Sequence, residues 1–206
     1  MKILKEHFYD IVRLYINQVG VTIFSLFLYL AIGDIDDESL FMTLRIAVSV
    51  LSILFYIVLI YNVVWELGAK DKIRIDSRRY DPKPYKGIVI ALFANLPNLL
   101  LGTLSAVFCS VFLASGAEWA KTAFGIVFLI TKFHAPMFMG IIQGVTPANP
   151  SLGSDPAIFT DALFESIWFI VLPLVIVLIT EGAYLLGSHE KRIFGFLGKK
   201  DNQGKK

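Results

Sequence analysis

The chain has 206 residues, a formal charge of +2 and a hydrophobic fraction of 56%, with a mean hydropathy of +0.67. Its single cysteine, Cys109, excludes an intramolecular disulfide. Charged residues are nearly absent from long runs and gathered between them. A soluble domain has too little polar surface to cover several apolar blocks of roughly 20 residues, so the pattern reads as an integral membrane protein.

The first residues, Met1 to Arg13, mix Lys2, Lys5 and Arg13 with Glu6 and Asp10. Leu4, Phe8, Ile11, Val12 and Tyr15 fall at helical spacing, which predicts an amphipathic lead-in on the inner surface. A first span is expected over about 14–33. Its apolar run exceeds the roughly 7–15 residues of a signal-peptide core, which favours a span over a cleaved leader. Asp34, Asp36, Asp37 and Glu38 then form a short acidic connection without Lys or Arg, and this belongs outside. The second span, about 41–67, carries Arg45 near its outer end, within reach of the acidic connection. Tyr61 and Trp65 sit where an aromatic belt is expected at the inner interface.

The stretch from Gly68 to Gly87 orients everything else. It holds Lys70, Lys72, Arg74, Arg78, Arg79, Lys83 and Lys86 against Asp71, Asp76 and Asp81, and it is punctuated by Pro82 and Pro84. A basic loop between two spans stays cytoplasmic. Arg74, Arg78, Arg79 and Lys83 are also candidates for docking anionic lipid headgroups or a cytosolic partner, since each surface cation contributes on the order of 1 kcal/mol there. The plainer reading is that they only obey the orientation rule. Nucleic-acid binding is disfavoured, because the basic run is short and no recognition fold surrounds it.

The third span, about 88–114, contains Asn95-Leu96-Pro97-Asn98. Pro97 removes a backbone donor and predicts a kink, which the asparagine amides can patch or turn towards a substrate. The run at 119–145 is interrupted by Lys132, His134 and Pro136. Its first half, Trp119 to Phe133, would reach only about 22 Å at roughly 1.5 Å per residue, short of a hydrocarbon core of roughly 30 Å. An irregular, Pro-rich connection over 146–162 has no Lys or Arg. The last span, about 163–187, includes Pro173 and Glu181, and a basic tail follows that is expected to be disordered over 199–206.

With the basic segments inside and the two Lys/Arg-free connections outside, one of the apolar runs after Lys86 must turn back. The run at 119–145 is the economical choice. It would enter from outside as two half-helices and bring Lys132 and His134 to its tip. Five full crossings with an external C-terminus are the alternative. The fold class expected is therefore an all-α membrane protein, a bundle of four to five transmembrane helices with one broken or re-entrant segment. N-terminus, the 68–87 loop and C-terminus are placed in the cytoplasm.

Candidate site residues are those ionisable or amide groups at membrane depth: Lys132, His134, Asn95, Asn98 and Glu181. Lys132 could hold an anionic group and His134 could change charge near neutral pH. The bland reading has Lys132 reaching for the nearer interface and His134 making an ordinary internal hydrogen bond. Glu181 lies near the inner end of the last span, where it would meet basic residues near Lys86 or Lys191. Enzyme chemistry has little support. There is no zinc helix, nucleophile elbow or phosphate loop, and no cofactor motif. Gly102-Thr103-Leu104-Ser105 approaches a membrane serine-protease pattern without the following glycine, and nothing in the sequence promises a base for Cys109.

Lys86-Gly87-Ile88 leading into Asn95-Leu96-Pro97-Asn98, and Ala183-Tyr184-Leu185-Leu186-Gly187 ahead of a basic tail, resemble stretches of small polytopic bacterial membrane proteins without an assigned activity. The resemblance implies a bacterial plasma membrane. Two functions are then expected as alternatives. One is a transport or permeation subunit with a polar pocket at membrane depth. The other is a non-enzymatic assembly, immunity or scaffold protein that docks a partner or anionic lipid through the 68–87 loop; a membrane-protein partner or a homo-oligomer is expected in either case.

Overall fold

A computed structural model of the protein describes residues 6–78, 85–146 and 156–191. Helix α1 spans Phe8–Ala31, α2 Glu38–Asp76, α3 Lys86–Ala94, α4 Leu96–Ser115, α5 Glu118–His134, α6 Met139–Val145 and α7 Pro156–Ser188, with a 3₁₀ turn at Pro136–Phe138 between α5 and α6. No strand occurs among the described residues. Four helices are long and apolar enough to cross a membrane, or five if the bent pair formed by α5 and the segment Pro136–Val145 counts as one span.

The bundle exposes large apolar side chains to its surroundings and holds small polar ones inside, beside its apolar core. Phe27, Leu51, Leu54, Leu129 and Leu178 are all more than half exposed, while Gln18, Ser25, Ser49, Ser52 and Ser105 have no exposed surface. Water would not tolerate such an apolar exterior, whereas lipid tails match it.

Local chemistry sets the helix ends. Asp37 caps α2 by accepting a hydrogen bond from the Leu40 N–H at 3.0 Å. Gly116 ends α4 in the left-handed region at φ 66°, where a side chain would be strained. The kink expected at Pro97 is a break two residues earlier: α3 stops at Ala94 with Asn95 as its cap, and Pro97 sits in the first turn of α4, where its missing N–H costs nothing. Asn95 donates from Nδ2 to the Ala91 carbonyl at 3.0 Å, which also accepts the Asn95 N–H at 2.9 Å, so the amide reinforces the last turn of α3.

Three expectations need correction, the first being the irregular connection over 146–162, which from Pro156 onward already belongs to α7. The Gly68–Gly87 stretch is not a loop along its whole length, because α2 continues unbroken to Asp76. Its charges fall at helical spacing and pair, Glu66 with Lys70 at 2.7 Å, Asp71 with Arg74 at 3.9 Å and Lys72 with Asp76 at 3.8 Å. The amphipathic lead-in is likewise not a separate surface helix from Phe8 onward; those residues open α1 itself, with Ile11 and Leu14 buried. The 199–206 tail lies outside the described residues.

Glycines let backbones approach at one end of the bundle. A Cβ on Gly68 would strike the Tyr184 carbonyl, and one on Gly187 would strike that of Trp65. There α2 and α7 cross in close contact, and the Trp65 indole donates to the Lys191 carbonyl at 2.8 Å. The central core joins Val21, Tyr56, Ile90, Met137, Phe138 and Phe169 from α1, α2, α3, the 3₁₀ turn and α7.

Candidate functional site

The break expected in the run at 119–145 falls at Ala135, where the two arms meet at 84°. Ala135 precedes Pro136, which favours an extended residue before it and ends the helix. The Ala135 backbone, at φ −130° and ψ 51°, has left helical geometry. The second arm then lies against the Glu38 half of α2. A Cβ on Gly140 would collide with the Arg45 carbonyl, and one on Gly144 would meet the Ile46 side chain at 3.0 Å. The Gly140 N–H donates to Ser49 Oγ at 2.7 Å and to Tyr29 Oη at 3.0 Å. The His134 carbonyl, freed by the break, accepts from Thr22 Oγ1 at 2.9 Å. A backbone group on each arm thus finds a side-chain partner on α1 or α2.

Between this bent segment and the first two helices lies a cavity of about 320 Å³. Leu26 and Tyr29 of α1 and Phe41 and Arg45 of α2 line one side; Leu129, Lys132, Phe133 and Met139 line the other. The walls are apolar apart from two cations and a phenol. Lys132 pairs with Glu165 of α7 at 2.9 Å and sits 4.2 Å from the centroid of the Phe128 ring. The half-buried Arg45 guanidinium lies over the Phe41 ring at 5.0 Å and has no carboxylate within 4.0 Å among the described residues. One cation in the wall is therefore in direct contact with a carboxylate, and the other feels the same Glu165 only from a distance. An unpaired guanidinium beside greasy walls is suited to a carboxylate or phosphate that carries an apolar tail.

The other expected site residues lie elsewhere. His134 turns from the cavity towards Tyr15, with ring centroids 6.1 Å apart. Asn98 donates to Asn95 Oδ1 at 3.4 Å, and both are buried at the α3–α4 break. Glu181 lies at the Lys86 end but meets a backbone group and not a basic side chain: its carboxylate accepts from the Ile88 N–H at 2.7 Å and so caps α3 from another helix. Arg74 and Arg78 are exposed at the far end of α2, while Arg79 and Lys83 lie outside the described residues.

Three groups escaped the sequence reading. Glu165, the partner of Lys132, stands alone in an apolar run, 33 positions from the lysine it meets. Arg45 seemed committed to the acidic connection but lines the cavity. Lys86 and Asp71, read as part of a solvated charge run, are both fully buried and in contact, with the Tyr184 hydroxyl donating to the same Asp71 oxygen at 2.9 Å. Ser105 and Cys109 are occupied by structural contacts, Ser166 Oγ at 2.8 Å and the Phe159 carbonyl at 3.2 Å. Among the described residues no group of three His, Cys, Asp or Glu side chains could hold a metal ion.

Fold and site together define an all-helical bundle, with the surface of a membrane protein and a cation-lined cavity beside a bent helical pair. No protein-family model, curated protein or solved structure matches this chain.

Proposed function

We propose that the chain is a multi-pass membrane protein acting as a transport or permeation subunit, and that the bent segment walls a binding site for an anionic, partly apolar molecule. The supporting observation is the cavity, in which Arg45 has no carboxylate partner and Lys132 stands opposite, with both arms of the bent segment completing the wall. In this reading the basic end of the bundle, with Arg74 and Arg78, faces the cytoplasm. The bent segment enters from the opposite face and returns to it, which agrees with α6 lying along the Glu38 half of α2.

A fluorescent long-chain fatty acid tests the site on the full chain in detergent micelles. Arg45→Leu and Lys132→Leu should each weaken its binding about ten-fold or more, the loss of a charge-assisted hydrogen bond of roughly 1.5–3 kcal/mol. Unchanged affinity in both variants overturns the reading. A second function, docking of a partner or anionic headgroup at Arg74 and Arg78, draws support from the helical extension that carries Arg74 and the turn just beyond it that carries Arg78. Loss of binding in Arg74→Ser/Arg78→Ser, and not in the cavity variants, would favour it.

A further inference from the structure

Two rows of polar side chains face each other between α1 and α2. On α1 they are Gln18, Thr22, Ser25 and Tyr29; on α2 they are Ser49, Ser52 and Tyr56. The helices run antiparallel, so the rows are joined at both ends: Tyr29 Oη and Ser49 Oγ lie 2.8 Å apart, and the Tyr56 hydroxyl reaches Gln18 Oε1 at 3.5 Å. The bent segment closes the third side through Thr22 Oγ1 on the His134 carbonyl and the Gly140 N–H on Ser49.

This seam begins at the cavity, since Tyr29 belongs to both. From Tyr29 to Gln18 it covers about 16 Å of helix at roughly 1.5 Å per residue, half of a hydrocarbon core of roughly 30 Å. Along it lie three buried polar atoms without a protein partner: Gln18 Nε2, Ser52 Oγ and His134 Nε2. Gln18 and Ser52 have no exposed surface. His134 comes to the same level, because its carbonyl meets Thr22 and its ring faces Tyr15, which share one face of α1 with Gln18.

An orphaned amide or hydroxyl in a low-dielectric interior is costly, and buried water is the usual remedy, each molecule making about three hydrogen bonds. We propose that the cavity continues inward along this seam as a hydrated path, with water held between Gln18, Ser52 and His134. Beyond Arg45 and Lys132 the path presents hydroxyl, amide and imidazole groups only, so what it admits is water or a small neutral polar solute. The proposal concerns the seam and does not need an anion in the cavity mouth.

Radiolytic footprinting of the full chain in nanodiscs decides it, because hydroxyl radicals form from water in place and mark the side chains beside it. Tyr56 and Met137 should be oxidised several-fold faster than Cys109, although all three are buried and a thiol is intrinsically the most reactive. Cys109 serves as the dry reference, packed among Phe124 and Phe159. Gln18→Leu/Ser52→Ala should bring Tyr56 down to the Cys109 level. If Tyr56 and Met137 in the unaltered protein are as protected as Cys109, the seam is dry and the proposal fails, whatever the fatty-acid measurement shows.

Discussion

Burying Lys86 and Asp71 together, with neither side chain exposed, carries a desolvation cost that their contact and the Tyr184 hydroxyl must offset. Removing one partner is therefore worse than removing both. Lys86→Met leaves the buried Asp71 carboxylate with only the exposed Arg74 guanidinium, 3.9 Å away, as a cation and should destabilise the fold by up to about 3–5 kcal/mol, while Asp71→Leu/Lys86→Met should fall close to the parent. Unfolding in mixed micelles by titrated dodecyl sulfate measures both, and equal losses in the single and double variants would show that the pair is not the source. Such residues mark the limit of what the chain discloses on its own. Lys132 stood out because it interrupts an apolar run. Lys86 did not, because a lysine among lysines reads as a solvated one. Its burial depends on Gly87 and Gly68 admitting α7 to within contact, which neither period nor charge count records.

At the level of elements, the positions of the long helices were legible because bilayer thickness imposes a run length on each. The break at His134-Ala135-Pro136 was legible too, since proline and the residue before it have few conformations to choose from. The helical extension of α2 was not, although Glu66, Lys70, Asp71, Arg74, Lys72 and Asp76 already stood three and four apart. Polarity alone had suggested a loop. The second arm of the bent segment depends on a side chain being absent. Gly140→Val would drive a branched side chain into the Arg45 carbonyl and should cost about 1–3 kcal/mol or more, because backbone cannot yield as a side-chain tip does. Gly20→Ala, with nothing within 4 Å of the new atom, is the neutral reference. Thermal unfolding of the two variants checks this, and a Gly140→Val melting point equal to that of Gly20→Ala would mean the arm is not seated on α2.

For the molecule as a whole, an apolar exterior and polar groups kept to the interior follow from one constraint, that hydrocarbon offers no hydrogen bonds. The same constraint leaves orientation to the charged ends. In a Cys109→Ala background, Asp36→Cys should react with an impermeant maleimide on intact cells and Ser77→Cys only after permeabilisation. Labelling in the reverse order would invert the orientation argued here, and labelling of both from one side would mean that α2 does not cross. That helix has a further mechanical consequence. At 39 residues without a proline it is about 58 Å of continuous rod, with Arg45 near one tip and Arg74 near the other. In the orientation proposed above, a tilt of this rod at the Arg45 end would be felt as a sweep at the Arg74 end, which would join the two ends of the bundle mechanically.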